Sequence, residues 1–299
     1  MPPFKPAIDA TPIVGPDVRA AARLARGLGC EGVVVPARSP IADLTQLSTT
    51  GAREFLHVLA SLGQRLAGVG HDLGPDGLSP RADLQREVEG LQASIRAAAA
   101  VGRATVLVDL GPLPPPPVAA PPPRQPITPE QAGLILLPEP SPEPPTPAPA
   151  RDLPFESTLH AALREVASTA DRNGVTVAFR ASLAPLAALS AALHAVDCPW
   201  FGVDLDPLAV LMEDRDRHAV LSDLGSLVRH VRGRDGVRGA GQRTRAVVLG
   251  QGQVDWPAFA ADLEAAGYRG FITIDVRDLP NPRAAAAAAV ALLRPPASG

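Results

Sequence analysis

Short apolar runs rich in β-branched residues alternate with longer stretches whose apolar positions recur at helical spacing, from one end of the chain to the other. The strand-like runs are Ala7–Thr11, Gly32–Pro36, Leu66–His71, Ala104–Asp109, Val175–Arg180, Phe201–Asp206, Leu227–Arg232 and Phe271–Asp275. Between them the spacing predicts helices over Asp17–Leu28, Arg53–Leu62, Leu84–Ala100, Leu159–Asn173 and Trp256–Ala266. Five helical patterns end in glycine just before the next strand, at Gly29, Gly63, Gly102, Gly174 and Gly267. Glycine is suited to the left-handed position that closes a helix and turns the chain. This alternation predicts parallel strands joined by crossover helices. Eight β/α units in about 250 residues fit a closed (β/α)8 TIM barrel. An open doubly wound sheet is the alternative, but no GxGxxG follows the first strand to favour it.

One stretch breaks the rhythm. Between residues 112 and 154 the chain is rich in proline, with PLPPPP and PEPSPEPPTPAP as its densest parts. Such runs favour extended polyproline conformations that join neither a ladder nor a helix. We read residues 1–299 as one barrel domain carrying this insertion after the fourth strand, with Ala132–Leu137 (AGLILL) as a short apolar segment inside it. The insertion leaves from the carboxyl end of the barrel, where TIM-barrel active sites lie. It reads either as a lid or docking arm, or as a tolerated surface loop.

Composition narrows the possibilities. Apolar residues make up 46% of the chain but aromatics only 3%, so the core must be built from Ala, Val and Leu. A net charge of −3 gives no global attraction to nucleic acid or to an anionic membrane. Lys5 is the only lysine. Nearly all positive charge is therefore arginine, and an arginine here is weaker evidence for a functional guanidinium than in an unbiased sequence. Cys30 and Cys198 lie far apart without CxxC spacing, which reads as two thiols in a reducing cytoplasm. The start lacks a signal-peptide pattern and no apolar run of about 18 residues occurs, so a soluble, cytoplasmic protein is expected.

The C-terminal half carries a resemblance. HVRGRD (His230–Asp235), then LGQGQVDW (Leu249–Trp256), then GYRGFITID (Gly267–Asp275) resemble the closing third of sugar-phosphate isomerase/epimerase barrels of the xylose isomerase-like superfamily. The patterns there are HVHxKD, LGxGxVDW and GYxGxxxxE. GVDLDP (Gly202–Pro207) is similar to the sixth-strand pattern GVxxDxGH, and GVTVAFR (Gly174–Arg180) to the fifth-strand pattern GVxxxxE. The likeness covers nearly the whole chain except the insertion.

The resemblance implies a divalent ion held by Glu, Asp, His and Glu at the ends of strands five to eight, where it would stabilise an enediolate. Carried over position by position, the first Glu falls on Arg180. The Asp falls on Asp206, with the following His on Ala209. The seventh-strand His falls on Arg232, and the last Glu on Asp275, one methylene shorter. Arginine stays protonated and has no lone pair to offer a cation. Strand parity places Arg180, Asp204, Asp206, His230, Arg232, Thr273 and Asp275 on inward faces. The expectation is therefore an Arg–Asp lattice in place of the metal, with no cofactor; a Mn, Mg or Zn ion on rearranged ligands is the alternative.

The candidate catalytic groups are Asp275, Asp206 and His71, which ends the third strand. Candidate substrate contacts are Arg180, Arg232, Asp204, His230, Asp109 and Asp235, with further positive potential from Arg234, Arg238, Arg243 and Arg245. The guanidiniums of Arg180 and Arg232 read either as structural partners of Asp206 and Asp275, or as the fork that grips a sugar phosphate or sugar acid. His230 reads more simply as packed low in the barrel. Three functions follow: a divergent isomerase/epimerase relative that has lost its metal and binds a small anionic carbohydrate or is inactive; an active metal-dependent isomerase/epimerase with a rearranged site; or an interaction protein acting through the insertion. Neither nucleic acid nor membrane is an expected partner, and a homo-oligomer remains open.

Overall fold

A computed structural model describes residues 4–74, 76–79, 82–111, 113, 153–181, 185–212, 216–239 and 244–294. Nearly all of the proline-rich insertion, including Ala132–Leu137, lies outside the described residues. Eight parallel strands close into a barrel: β1 (Lys5–Asp9), β2 (Gly32–Pro36), β3 (Arg65–His71), β4 (Val106–Asp109), β5 (Val177–Arg180), β6 (Phe201–Leu205), β7 (Val228–Gly233) and β10 (Phe271–Ile274). Closure is completed by β10 pairing with both β1 and β7. The expected order of strands is thus the observed one, with ends that differ by one or two residues. The first strand starts earlier than expected, at Lys5 rather than Ala7.

The short antiparallel hairpin of β8 (Asp235–Arg238) and β9 (Thr244–Val247) stands outside the barrel and was not anticipated. Its four-residue strands show no clear apolar alternation.

Helices are capped as their sequences dictate. The crossover helix α2 (Val18–Leu28) begins at Asp17, whose carboxylate accepts from Arg19 N and Ala20 N, and ends at Gly29 with φ of 86°. Asp83 caps α4 (Leu84–Ala100), and Asp255 caps α9 (Trp256–Ala265). Such caps satisfy backbone N–H groups that a helix leaves unpaired.

Two apolar layers result. The larger lies between strands and helices and includes Ile8, Val33, Val35, Val106, Val108, Val177, Phe179 and Trp256. The second is small: Ala7, Val34, Leu107, Ala178 and Ala67, with Phe271 packed against them. Their positions alternate with the helix-facing ones, which places this cluster inside the barrel. Side chains this short leave the interior of β1–β5 underfilled. On the β6, β7 and β10 side the interior is polar instead, with Asp204, His230, Arg232 and Thr273 all buried. Cavity on one side and charge lattice on the other define the site.

Candidate functional site

Strand register builds the lattice. Asp204 is the register partner of His230, Thr273 of Arg232, and Asp109 of Arg180. The buried Asp204 carboxylate uses both oxygens. Oδ1 accepts from His230 Nδ1 at 2.6 Å, and Oδ2 accepts from Arg232 Nε at 2.8 Å with Nη2 at 2.7 Å. His230 Nε2 lies 2.8 Å from Thr273 Oγ1. Arg232 turns its remaining Nη1 to Asp275 Oδ2 at 2.9 Å. One guanidinium therefore bridges two buried carboxylates, in a geometry whose charged hydrogen bonds are among the stronger ones available.

The lattice continues outward. Asp275 also accepts from Arg277 through Nε at 3.1 Å and Nη2 at 2.8 Å. Arg234 bridges Asp206 at 2.9 Å and Asp278 at 2.6 Å. Arg180 pairs with Asp109 at 2.9 Å and reaches Asp206 only at 4.0 Å, while its buried Nε has no partner among the described residues. The expected pairing of Arg232 with Asp275 is present, but the closer partner of Arg180 is Asp109 rather than Asp206.

Asp9, Asp109, Asp206 and Asp275 share a local device. Each stands at or just past a strand end and accepts the backbone N–H two residues on, at Thr11, Gly111, Leu208 and Arg277. This Asx-type turn fixes one oxygen to the backbone and leaves the other facing the barrel mouth.

Electrostatics follow from burial and pairing. Burial alone would raise the carboxyl pKa of Asp204 and Asp275. Arg232 and His230 around Asp204, and Arg277 and Arg232 around Asp275, more than offset this and hold both far below the usual carboxylate range. Burial would equally lower the pKa of Arg232, but Asp204 and Asp275 push it up instead. Arg180 differs: its burial, with Arg232 nearby, lowers its pKa despite the surrounding aspartates.

A cavity of about 620 Å³ opens at the carboxyl ends of the strands. Asp9, His71, Asp72, Asp109, Arg180, Arg232 and Arg277 supply its titratable wall, and Val34, Leu107 and Gly70 part of its apolar floor. His71 Nδ1 lies 2.8 Å from Ser94 Oγ, whose hydroxyl donates to Gly90 O at 3.2 Å. With that hydroxyl committed, the Ser94 oxygen accepts from Nδ1–H, so the His71 proton sits on Nδ1 and the lone pair on Nε2. Burial, reinforced by Arg38, brings the His71 pKa down to about 4, and Asp72 opposes only in part. The ring is neutral at pH 7.

Most of the candidates therefore converge on the barrel mouth in two chains of contacts, one through His230, Asp204, Arg232 and Asp275 and the other through Asp109, Arg180 and Asp206, with His71 across the cavity. Asp235 stands apart from that wall. Buried at the start of β8, it accepts from Gly236 N and Val254 N through Oδ1, and from Gly250 N and Gly252 N through Oδ2. It organises the LGQGQVDW loop. Arg234 is absorbed in ion pairs, Arg245 is exposed on β9, and Arg243 lies outside the described residues. Sequence reasoning missed Arg277, Thr273 as the second partner of His230, and Ser94. Arg277 had a signal in retrospect, since an arginine two residues past a strand-terminal aspartate can fold back on it.

Arg232 and Arg180 stand where the resemblance expects ligands, and every nearby carboxylate oxygen aimed at the centre is shared with a guanidinium. Among the described residues no group of three or more His, Cys, Asp or Glu side chains is arranged to hold a metal ion. No helix among them is long and apolar enough to cross a membrane.

Comparison with solved structures shows the same fold in proteins of different activity. A xylose isomerase domain protein from Planctomyces limnophilus superposes with TM-score 0.69 at 18% identity, covering 97% of this chain and 95% of that one. The apo 3-keto-D-glucoside 4-epimerase of E. coli gives 0.67 at 16% identity, covering 97% and 98%. D-psicose 3-epimerase from Clostridium cellulolyticum H10, solved with D-tagatose, gives 0.66 at 15% identity, again covering 97% and 98%. No curated protein sequence matches the chain. The family described as xylose isomerase-like TIM barrel matches residues 22–295. That match spans nearly the whole closed eight-stranded barrel: the chain belongs to the xylose isomerase-like TIM barrel family.

Proposed function

We propose that this protein is a divergent member of its family that binds a small carbohydrate at the barrel mouth without the divalent ion its relatives' ligand pattern implies. The observation that carries this reading is the Arg232 guanidinium, hydrogen-bonded at once to Asp204 and Asp275. A divalent cation at Asp275 would share a low-dielectric space with Arg232 and Arg277, and the repulsion grows steeply as dielectric falls. Asp206 offers no better ligand, because Arg234 and the Leu208 N–H hold its two oxygens. The residues present do not fit the metal.

The same pairing removes the carboxylates from acid–base work. Asp206 and Asp275 are candidate proton carriers by position, yet Asp275 is held ionised and both are committed to arginines. His71 remains as a neutral imidazole beside the cavity, suited to hydrogen bonding more than to strong general-base catalysis. A carbohydrate ligand is supported by the 620 Å³ cavity with polar walls and by structural neighbours named for their action on sugars.

Titration calorimetry of metal-free protein with D-fructose, D-psicose and D-tagatose tests this reading, with and without Mn²⁺. Binding that is unchanged by Mn²⁺ supports it. Binding that appears only with Mn²⁺ overturns it.

A further inference from the structure

The mouth of the barrel is rich in charge, but its arginines are spoken for. Arg180 faces Asp109, Arg232 faces Asp204 and Asp275, Arg234 faces Asp206 and Asp278, and Arg277 faces Asp275. An anionic group entering the centre would compete with carboxylates at every guanidinium and would meet several of them unscreened. The main cavity is therefore poorly matched to a phosphate or a sugar carboxylate, which favours reading Arg180 and Arg232 as structural partners of the aspartates over reading them as the fork that grips an anion.

A second cavity of about 240 Å³ adjoins the first and shares Pro36, Gly70, His71 and Asp72 with it. Arg38 and Arg86 bring two guanidiniums to its wall. Arg86 donates from Nε and Nη2 to Glu87 at 3.2 and 2.7 Å. Arg38 pairs with no carboxylate among the described residues, and it is the one arginine of either cavity wall for which this holds. Its Nη1 comes close to Gly90 on α4: a Cβ there would stand 4.0 Å from Arg38 Nη1 and 3.8 Å from His71 Nε2. The missing side chain leaves this wall one methyl wider beside the unpaired Arg38 guanidinium, while the lone pair of His71 Nε2, without a partner among the described residues, is an acceptor for a ligand hydroxyl and not for the anion. Asp72 and Glu87 line the same space, Asp72 with one oxygen turned to Gly74 N at 2.8 Å and Glu87 neutralised by Arg86 at 2.7 Å, which leaves Arg38 the guanidinium free for a ligand.

We infer that this side cavity is an oxyanion subsite in which Arg38 holds the phosphate or carboxylate end of the ligand, while the hydroxylated body occupies the main cavity. The inference rests on the carbohydrate reading above and assigns that ligand a terminal anion. Arginine is suited to this role because its planar fork offers paired donors to two oxygens. Gly90 supplies the room and Arg38 the charge.

The test compares three probes by calorimetry: D-fructose, D-fructose 6-phosphate and inorganic phosphate. Wild-type protein should bind fructose 6-phosphate at least tenfold more tightly than fructose. Arg38→Ala should erase that advantage while leaving fructose affinity within twofold. Asp72→Asn should strengthen phosphate binding, since it removes the nearby negative charge. Phosphate binding that depends on Arg38, in protein that binds neither sugar, would uphold the subsite and sink the carbohydrate reading instead. Equal affinity for both sugars overturns the inference and leaves that reading standing. So does an Arg38→Ala protein, folded by circular dichroism, that binds fructose 6-phosphate as wild type does.

Discussion

Replacing Arg232 with Met keeps much of the side chain's length and apolar stem but removes the charge that joins Asp204 to Asp275. Both carboxylates are buried, at 1% and 6% exposure. Asp204 would lose two contacts of 2.7–2.8 Å and Asp275 one of 2.9 Å. At an effective dielectric near 20, each such charge pair amounts to roughly 5 kcal/mol before desolvation is counted. Removing one partner of a buried pair typically costs about 3–5 kcal/mol, because an uncompensated charge is left behind. We take about 4 kcal/mol as the expected loss. His230 still serves Asp204, and Arg277 still serves Asp275. The assay is urea denaturation at pH 7 and again near pH 4.5.

The pH dependence separates charge from packing. In wild type the folded-state pKa of both aspartates is depressed, so their contribution is present above the unfolded value near 4 and fades only in stronger acid. Without Arg232, burial and mutual repulsion act to raise the folded-state pKa, and the variant should regain stability as pH falls from 7 toward 4.5. Adding Asp204→Asn should recover part of the loss at pH 7. A deficit below about 1 kcal/mol, or one equal at both pH values, would refute the claim that Arg232 is the lattice's keystone.

Further outcomes are expected. His71 has a folded-state pKa near 4 against an ordinary value of 6.5, so the unfolded chain binds more protons between those values and stability should fall as pH drops through that window. The ring is partly buried, and the loss should be at most about 3 kcal/mol; His71→Gln should flatten that part of the pH profile seen by thermal denaturation. Gly252→Ala should destabilise the protein by about 2 kcal/mol or more in urea, since a Cβ there would meet Asp235 Oδ1 at 2.1 Å and Gly236 O at 2.6 Å. The same variant should leave carbohydrate binding unchanged in the folded population, because Asp235 serves the loop and not the cavity wall.

The barrel was legible because each strand is a short apolar run bounded by glycine or aspartate, and because a period-two pattern places inward positions without knowledge of the partners. Arg180, Arg232 and Asp275 could be put on inward faces of the barrel on parity alone. Pairing was harder to read. Parity gives a face, not a neighbour, and Arg180 reaches Asp109 because β4 and β5 set those two residues in register. That pairing crosses the insertion, which places the partners 71 positions apart in sequence (180 − 109). The β8–β9 hairpin escaped notice since neither strand buries a clean apolar face. Arg277 lies beyond the strand end, where period-two reasoning stops. Ser94, which fixes the His71 tautomer, is a lone polar position on the buried face of α4, and only the packing of that helix against β3 reveals what it meets.

If guanidiniums hold the cation's place, the protein should not retain a divalent ion. Metal-depleted protein equilibrated with excess Mn²⁺, then desalted and analysed by inductively coupled plasma mass spectrometry, should retain far less than one equivalent. Retention of one equivalent that is lost in both Asp206→Ala and Asp275→Ala would contradict it.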